Sequence, residues 1–293
     1  MEKALTVFTP TYNRAYCLHQ LYNSLCRQTS IDFEWLIIDD GSTDNTSDLV
    51  NGWIADSRIQ IKYHFKENGG MHTGHNAAYD LITTEYNLCI DSDDFMPDNG
   101  VQIILNELKL LPEDYAGLVG LDADQSGNII GTAIPYELKR CKLNDLYSKY
   151  EVRGDKKLVY KTEIIKKYPA YPVFERERFV PLDYKYLLID QDYDLKPINE
   201  ILCIVEYRDD GSTMNIFSQY RKNPRGFAFS RLNRIQLGRT FKERYRNAIH
   251  LVSCALFTKD VSLLNKARSP SLVLLAFLPG VLLNLYTRVK ARS

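Results

Sequence analysis

Apolar and polar residues follow one another in blocks over the first third of the chain. Ala4-Leu5-Thr6-Val7-Phe8 is a short apolar run of the kind that forms a buried strand. After it, Leu18, Leu21, Tyr22 and Leu25 recur at i, i+3, i+4 and i+7, the stripe of a helix packed on a sheet. The same alternation repeats: a strand over 33–38, a helix through Leu49, Val50, Trp53 and Ile54, a strand over 59–65, a helix with Ala77, Ala78 and Leu81, and a strand over 86–90. This βαβαβαβ order predicts an α/β fold with a mostly parallel sheet, right-handed crossovers and helices on both faces. Further on, the pattern predicts a helix over 99–111, strands over 115–122 and 129–134, and helical or mixed segments over 139–150 and 158–167. A short helix over 184–189 and two strands within 192–205 complete this part.

The polar residues collect where the predicted strands end. Thr9 to Arg14, Asp39 to Asp44 and Asp91 to Asp94 each follow a strand, and in an open α/β sheet ligands bind at the carboxyl ends, where the strand order reverses. Asp91-Ser92-Asp93-Asp94 places three carboxylates at one strand end, and like charges so close raise one another's pKa unless a cation sits among them. Hard oxygens suit Mg²⁺ or Mn²⁺. The bland alternative is an acidic turn in which Asp93 or Asp94 caps the helix opened by Pro97 and Asp98. Asp-Asp-Gly-Ser-Thr-Asp is likewise a good turn, with Asp44 expected as the cap of the next helix and Asp40 as a ligand.

Composition is that of an ordinary globular protein: 293 residues, 45% hydrophobic and 25% charged. The zero net charge hides an asymmetry, because residues 221–293 hold 15 Lys and Arg against only Glu243 and Asp260, a balance of +13, which leaves −13 for the first 220. An acidic front suits metal-bridged anions and a basic rear suits anionic lipid or polymer. Six cysteines (Cys17, Cys26, Cys89, Cys141, Cys203, Cys254) lack paired spacing and are expected to be reduced core residues. Met-Glu-Lys leads straight into a strand, so no secretory leader is expected and the catalytic part is placed inside the cell. In the basic rear, Phe241, Tyr245, Ala248, Leu251, Val252 and Ala255 predict an amphipathic helix whose other face carries Lys242, Arg244 and Arg246. Residues 269–287 are uncharged, long enough to span a bilayer, but Pro279-Gly280 lies at their centre and basic residues flank both ends. The expectation is a helix-break-helix in the cytoplasmic leaflet, with a soluble hairpin packed on the remaining chain as the alternative.

Taken in order, Pro10-Thr11-Tyr12-Asn13-Arg14, Asp39-Asp40-Gly41-Ser42-Thr43-Asp44, Gly69-Gly70 with Asn76, and Asp91-Ser92-Asp93-Asp94 resemble the signature of family-two glycosyltransferases with the GT-A fold. The resemblance covers roughly the stretch from residue 3 to residue 135. It implies an inverting, metal-dependent transferase that moves a sugar from a nucleotide diphosphate, expected to be UDP-linked, to a lipid-linked or growing glycan in cell-surface polysaccharide synthesis. Residues 1–220 would be the catalytic domain, with a nucleotide-sugar half over 1–135 and an acceptor half over 136–220, and 221–293 a membrane-associating extension. Thr11, Tyr12 and Asp40 would hold the nucleobase and ribose, with Thr9, Pro10, Arg14, Asp39, Gly70, Asn76 and Ser92 as further nucleotide contacts. Asp91, Asp93 and Asp94 would hold Mn²⁺ or Mg²⁺ on the diphosphate. The general base is expected at Asp183, one position after the place relatives use, with Glu177 second; the alternative is that Asp183 merely caps a helix. Many relatives carry a small residue and Arg before the Asn where this chain has Met71-His72-Thr73-Gly74-His75; either histidine could touch a phosphate, but both are expected to be loop residues at the surface. Arg208, in a polar stretch that resembles a loop closing over the donor, could add positive charge or pair with Asp209. An anionic membrane surface is the expected partner beyond the substrates, on the cytoplasmic face of the plasma membrane; nucleic acid is not expected, and oligomerisation is left open. A sugar-nucleotide nucleotidyltransferase would share the acidic motif but needs glycines in the loop at 9–14, which are missing; a catalytically inactive binding module is the rival from another class.

Overall fold

In the computed structural model, which describes residues 3–206 and 216–291, the chain divides into two compact units. The first holds the residues up to Asn68, Gly74–Pro169 and Leu188–Glu206. Its frame is a seven-stranded sheet of order β3-β2-β1-β4-β6-β5-β7. The strands are β1 (Leu5–Thr11), β2 (Phe33–Asp39), β3 (Ile61–Phe65), β4 (Tyr86–Cys89), β5 (Tyr115–Ala123), β6 (Lys156–Lys161) and β7 (Asp194–Ile204). The pairs β1–β2, β1–β4, β2–β3 and β5–β7 are parallel, and only β6 runs against its neighbours β4 and β5. Every residue of β2 is buried, as expected of a central strand covered on both faces, whereas β3 at one edge is half exposed.

The helices α1 (Ala15–Cys26), α2 (Thr46–Asp56), α3 (Met71–Leu81) and α4 (Gly100–Leu108) fall where the apolar stripes predict them. Tyr22 of α1 stacks on Trp53 of α2 at 4.3 Å, and Trp35 of β2 lies 5.8 Å from Trp53, so three rings lock two helices to the sheet. Buried inside, the Trp35 indole donates to the Thr9 hydroxyl at 3.0 Å. Among the described residues, which include all six cysteines, there is no disulfide.

Two local expectations are corrected by the strands observed. Residues 129–134 do not form a strand: Ile129 makes one bridge to Ala123, and Gly131 at φ +79° then turns the chain away. Residues 158–167 are mixed, one of the two forms the pattern allows: the first part belongs to strand β6 and Thr162–Lys167 is helical (α6, with α5 at Leu143–Ser148). Finally, 192–205 is one strand rather than two; β7 tolerates Pro197 because it is an edge strand, where a missing N–H breaks no ladder on its outer side.

The second unit contains Gly69–Thr73, Ala170–Leu187 and the described residues from 216 onward. It is helical: the start of α7 (Asp183–Asp192), then α8 (Ile216–Lys222), α9 (Pro224–Leu237), α10 (Phe241–Thr258), α11 (Ser262–Asn265) and α12 (Pro270–Lys290). Its core gathers Phe227, Ile235, Leu251, Leu272 and Ala276. The expected break at Pro279-Gly280 does not occur, since α12 runs through both residues. Proline removes the bond its N–H would give to Leu275, and the Tyr245 hydroxyl of α10 donates to that carbonyl at 3.4 Å instead. Gly280 is there for close approach: a Cβ would stand 2.5 Å from the Cβ of Val252. By length and composition α12 could cross a membrane, with a mean hydropathy of 1.8 over its most apolar stretch.

Candidate active site

The site is built at the carboxyl ends of β1, β2 and β4. Parallel register sets Thr11 opposite Asp39, and the Asp40 amide donates to the Thr11 carbonyl at 2.8 Å, so the first two polar segments leave the sheet side by side. Beyond the strands, Asn13 adopts a left-handed conformation (φ +52°) and its side-chain oxygen accepts the Thr43 amide at 2.7 Å, while its own amide donates to the Ser42 hydroxyl at 2.9 Å. The two loops are thus stitched together by one asparagine.

The aspartates of the second loop have different tasks. Asp39, fully buried, accepts the Ser42 amide at 2.7 Å and the Tyr63 hydroxyl at 2.6 Å; it shapes the turn from below. Burial and this carboxylate push the Tyr63 phenol up to about 12. Asp40 is buried and ion-paired with Lys66 at the end of β3, a partner the sequence reading missed. Asp44 accepts the Thr46 amide at 3.1 Å and the Ala15 amide at 3.1 Å, serving the first turns of both α2 and α1. Burial works against its charge, but these donors and the Thr46 hydroxyl outweigh it and hold the carboxyl below its ordinary value. On the first loop, Tyr12 is 45% exposed and Arg14 lies over the Tyr16 ring at 5.7 Å. Thr9 and Thr11 are buried, and Pro10 packs against Gly74.

The acidic motif after β4 splits into two parts. Asp91 and Asp93 are partly exposed, whereas Ser92 and Asp94 are buried. Asp94 turns toward the end of β7: its carboxylate accepts the Glu206 amide at 3.2 Å and the Cys203 thiol at 3.6 Å. It does not cap α4, whose N-cap is Asn99 without a side-chain bond. Burial pushes Asp94 up to about 7, against the pull of Lys157, with Asp91 and Asp93 adding like-charge repulsion. Lys157, on β6, lies 4.0 Å from the buried Asp122; desolvation works against its charge, but the carboxylates of Asp122, Asp94 and Asp91 raise its pKa above the ordinary value. No apolar period marks Lys156-Lys157, so this buried cation escaped sequence reading.

Among the described residues no three His, Cys, Asp or Glu side chains converge as a ready-made cation cage. The donor chemistry nevertheless fits a hard divalent ion in one respect. Asp91 and Asp93 are two carboxylates open to solvent at a strand end, and Mg²⁺ or Mn²⁺ on a nucleotide takes most of its oxygens from phosphates and water, needing only one or two from protein.

The histidines are buried, contrary to the surface expectation. His75, 1% exposed, meets the Tyr79 hydroxyl at 3.1 Å and stands edge-on to Phe8 at 5.1 Å, filling space behind β1; His72 is equally buried. The apolar neighbours of a helix, rather than a loop, explain this, since α3 begins at Met71. Asn76 lies partly buried on α3. In the second unit, Gly70 at φ +93° lies so close to the Arg178 carbonyl that a Cβ would overlap it, at 1.8 Å. There too, Glu177 accepts the Arg225 and Gly226 amides at 3.0 and 2.9 Å, satisfying the exposed first turn of α9, and burial raises its pKa against these donors. Asp183 opens α7, pairs with Arg234 and accepts the Ser230 hydroxyl at 3.2 Å; its side chain is 31% exposed. Arg208 and Asp209 lie outside the described residues.

Comparison with known proteins follows the same outline. The family model of Glycosyl transferase family 2 matches residues 6–165. Chondroitin synthase of Pasteurella multocida is 32% identical over 103 residues, which is 35% of this chain and 11% of that relative, so the chain spans a small part of it. Residues 1–349 of S. aureus TarS in complex with UDP-GlcNAc superpose with a TM-score of 0.60 at 16% identity, over 93% of this chain and 89% of that one. Mannosyltransferase PcManGT from Pyrobaculum calidifontis, in complex with GDP-Man and Mn²⁺, gives a TM-score of 0.60 at 15% identity, over 98% and 88%. At such identity these two likenesses show the fold alone, a GT-A arrangement.

Proposed function

The chain belongs to Glycosyl transferase family 2, and we propose that it transfers a sugar from a UDP-linked donor, with inversion, to a growing or lipid-linked glycan. The observation that carries this reading is the convergence of Thr11, Asp40, Asp91 and Asp93 at the carboxyl ends of β1, β2 and β4, where the strand order reverses. Tyr12, exposed beside this crevice on the first loop, offers a face for a nucleobase, and the Asp40–Lys66 pair offers both an acceptor and a donor to a ribose. The UDP complex of the TarS neighbour and the polysaccharide synthases among the relatives support the donor and acceptor classes.

As the glycosidic bond breaks, negative charge builds on the departing diphosphate. Asp91 and Asp93 would hold a divalent ion there, and such an ion, when bound, offsets that charge. Asp94 does a different job: fixed by Glu206 and Cys203, it sets the turn from which the other two project. The acceptor hydroxyl, far too weak an acid to ionise at neutral pH, must lose its proton as it attacks. Of the two carboxylates the sequence offers, Glu177 is fixed by two backbone amides that open α9, whereas Asp183 is held by side chains, Arg234 and Ser230, and stays 31% exposed. Asp183 is therefore the proposed base.

The test is release of the nucleotide diphosphate from a panel of UDP- and GDP-sugars with Mn²⁺ or Mg²⁺, repeated in EDTA and with Asp183→Asn. Turnover of a UDP-sugar that chelator abolishes supports the reading. If UDP neither binds by calorimetry nor is released from any donor, the reading is wrong; if Asp183→Asn turns over normally, the base lies elsewhere.

A further inference from the structure

The outer face of α12 is built backwards for a helix in water. Leu272, Ala276, Gly280, Asn284 and Thr287 are the buried stripe, small or polar for the most part, and Asn284 donates to the Ser253 carbonyl of α10 at 3.1 Å. Opposite them, Leu274, Leu278, Leu282, Leu285 and Val289 recur at i, i+4, i+8, i+11 and i+15, and are 77, 67, 58, 55 and 69% exposed. At 1.5 Å per residue this apolar edge runs for about 22 Å, and no charged residue interrupts the chain from Ser269 to Thr287. An uncovered strip of that size in a soluble protein marks a contact surface.

We propose that this face lies in the plane of an anionic phospholipid leaflet. Two observations select that occupant. The first is charge: Lys266 and Arg268 precede the strip, Arg288 and Lys290 close it, and all four are exposed, in a region whose balance is +13. Its two acidic residues offer a second copy little: Glu243 is buried against Arg234, and Asp260 is bonded to Ser262. A self-interface here would set like charge against like charge, whereas lipid phosphates neutralise it. The second is packing: α10 lies alongside α12 and parallel to it, with Tyr245 against Leu275, Val252 against Gly280 and Phe257 against Arg288. A spanning α12 would carry α10 into hydrocarbon with Arg244, Arg246 and Asn247, so only a helix lying flat, inserted by about 5–10 Å, keeps those groups out of the membrane. The inference concerns location and stands apart from the glycosyl-transfer reading.

The full-length chain tests it by co-sedimentation with vesicles of phosphatidylcholine mixed with phosphatidylglycerol, and of phosphatidylcholine alone. The expected result is binding to the mixed vesicles, weakened by salt and by removal of the anionic lipid. Leu278→Glu with Leu282→Glu should lower that binding by about tenfold or more while leaving thermal unfolding in solution unchanged. Leu278→Trp supplies a second readout, with its emission quenched by brominated acyl chains in the mixed vesicles. A wild-type chain that stays in the supernatant at low salt overturns the proposal, as does a Leu278→Trp variant that is not quenched. So does a chain that ignores vesicles and forms a dimer which the double Glu substitution dissolves, because the strip is then a contact between copies.

Discussion

Leu88 and Leu278 are the same side chain in opposite circumstances. Leu88 of β4 is 1% exposed, packed in a core with Trp35, Val101 and Ile104, while Leu278 of α12 is 67% exposed. In the sheet unit, burial follows the ordinary rule, and the polar residues are concentrated at the strand ends, where the proposed donor site lies. In the helical unit, most leucines of α12 face outward, while its glycine, asparagine and last threonine face inward beside Leu272 and Ala276. The contrast is between a unit whose polar residues gather at strand ends and a unit whose longest helix keeps a strip of leucines at its surface, which the proposed lipid contact would cover.

The most forceful way to probe the sheet unit is at its crevice. Asp93→Asn should reduce donor turnover by about a hundredfold or more, with the unfolding midpoint unchanged; turnover at the wild-type rate would remove Asp93 from the charge-stabilising role. The comparison itself is sharpened by paired truncations. Leu88→Ala should cost about 2–5 kcal/mol by denaturant unfolding, whereas Leu278→Ala should stay within about 0.5 kcal/mol. A large loss at Leu278 would mean that the outer face of α12 is packed in solution after all. Inside the helical unit, Gly280→Val should destabilise by about 1–3 kcal/mol, because the new Cβ meets Val252; an unaffected midpoint would show that α12 can lift away from α10. The smallest effect is expected from Tyr245→Phe, which removes the hydroxyl from the Leu275 carbonyl and should cost about 0.5–1.5 kcal/mol, less if water takes its place.

Parallel strands buried on both faces write themselves as apolar runs, which is why β1, β2 and β4 and the helices between them were legible, and why the polar clusters at their ends could be placed. Strand β6 was not, because Lys156-Lys157 interrupts its pattern, and the carboxylates that favour the Lys157 charge, Asp122, Asp94 and Asp91, come from two other segments. Long-range charge leaves no local period. The same holds for the partners of Asp94, which lie on β7 and just beyond it, far along the chain from the acidic turn itself. Pro279-Gly280 misled for a related reason: a breaker read in isolation loses one hydrogen bond, and a tyrosine thirty residues earlier restores it. His72 and His75, expected at the surface, lie buried on α3, because the helix starts earlier than its apolar stripe at Ala77, Ala78 and Leu81 suggests.

The bond from Glu206 to Asp94 also has a meaning in time. The family signature ends at residue 165, yet the acidic turn is pinned by residues 203 and 206, and the bonded pair is 112 residues apart. At about 5–20 residues per second, a ribosome needs roughly 6–22 s to pass from one to the other. During that interval the nascent chain already holds the loops after β1, β2 and β4, but Asp94 still lacks the thiol and the amide that bond it in the folded chain. This turn therefore reaches its final bonding only once β7 and Glu206 have been made.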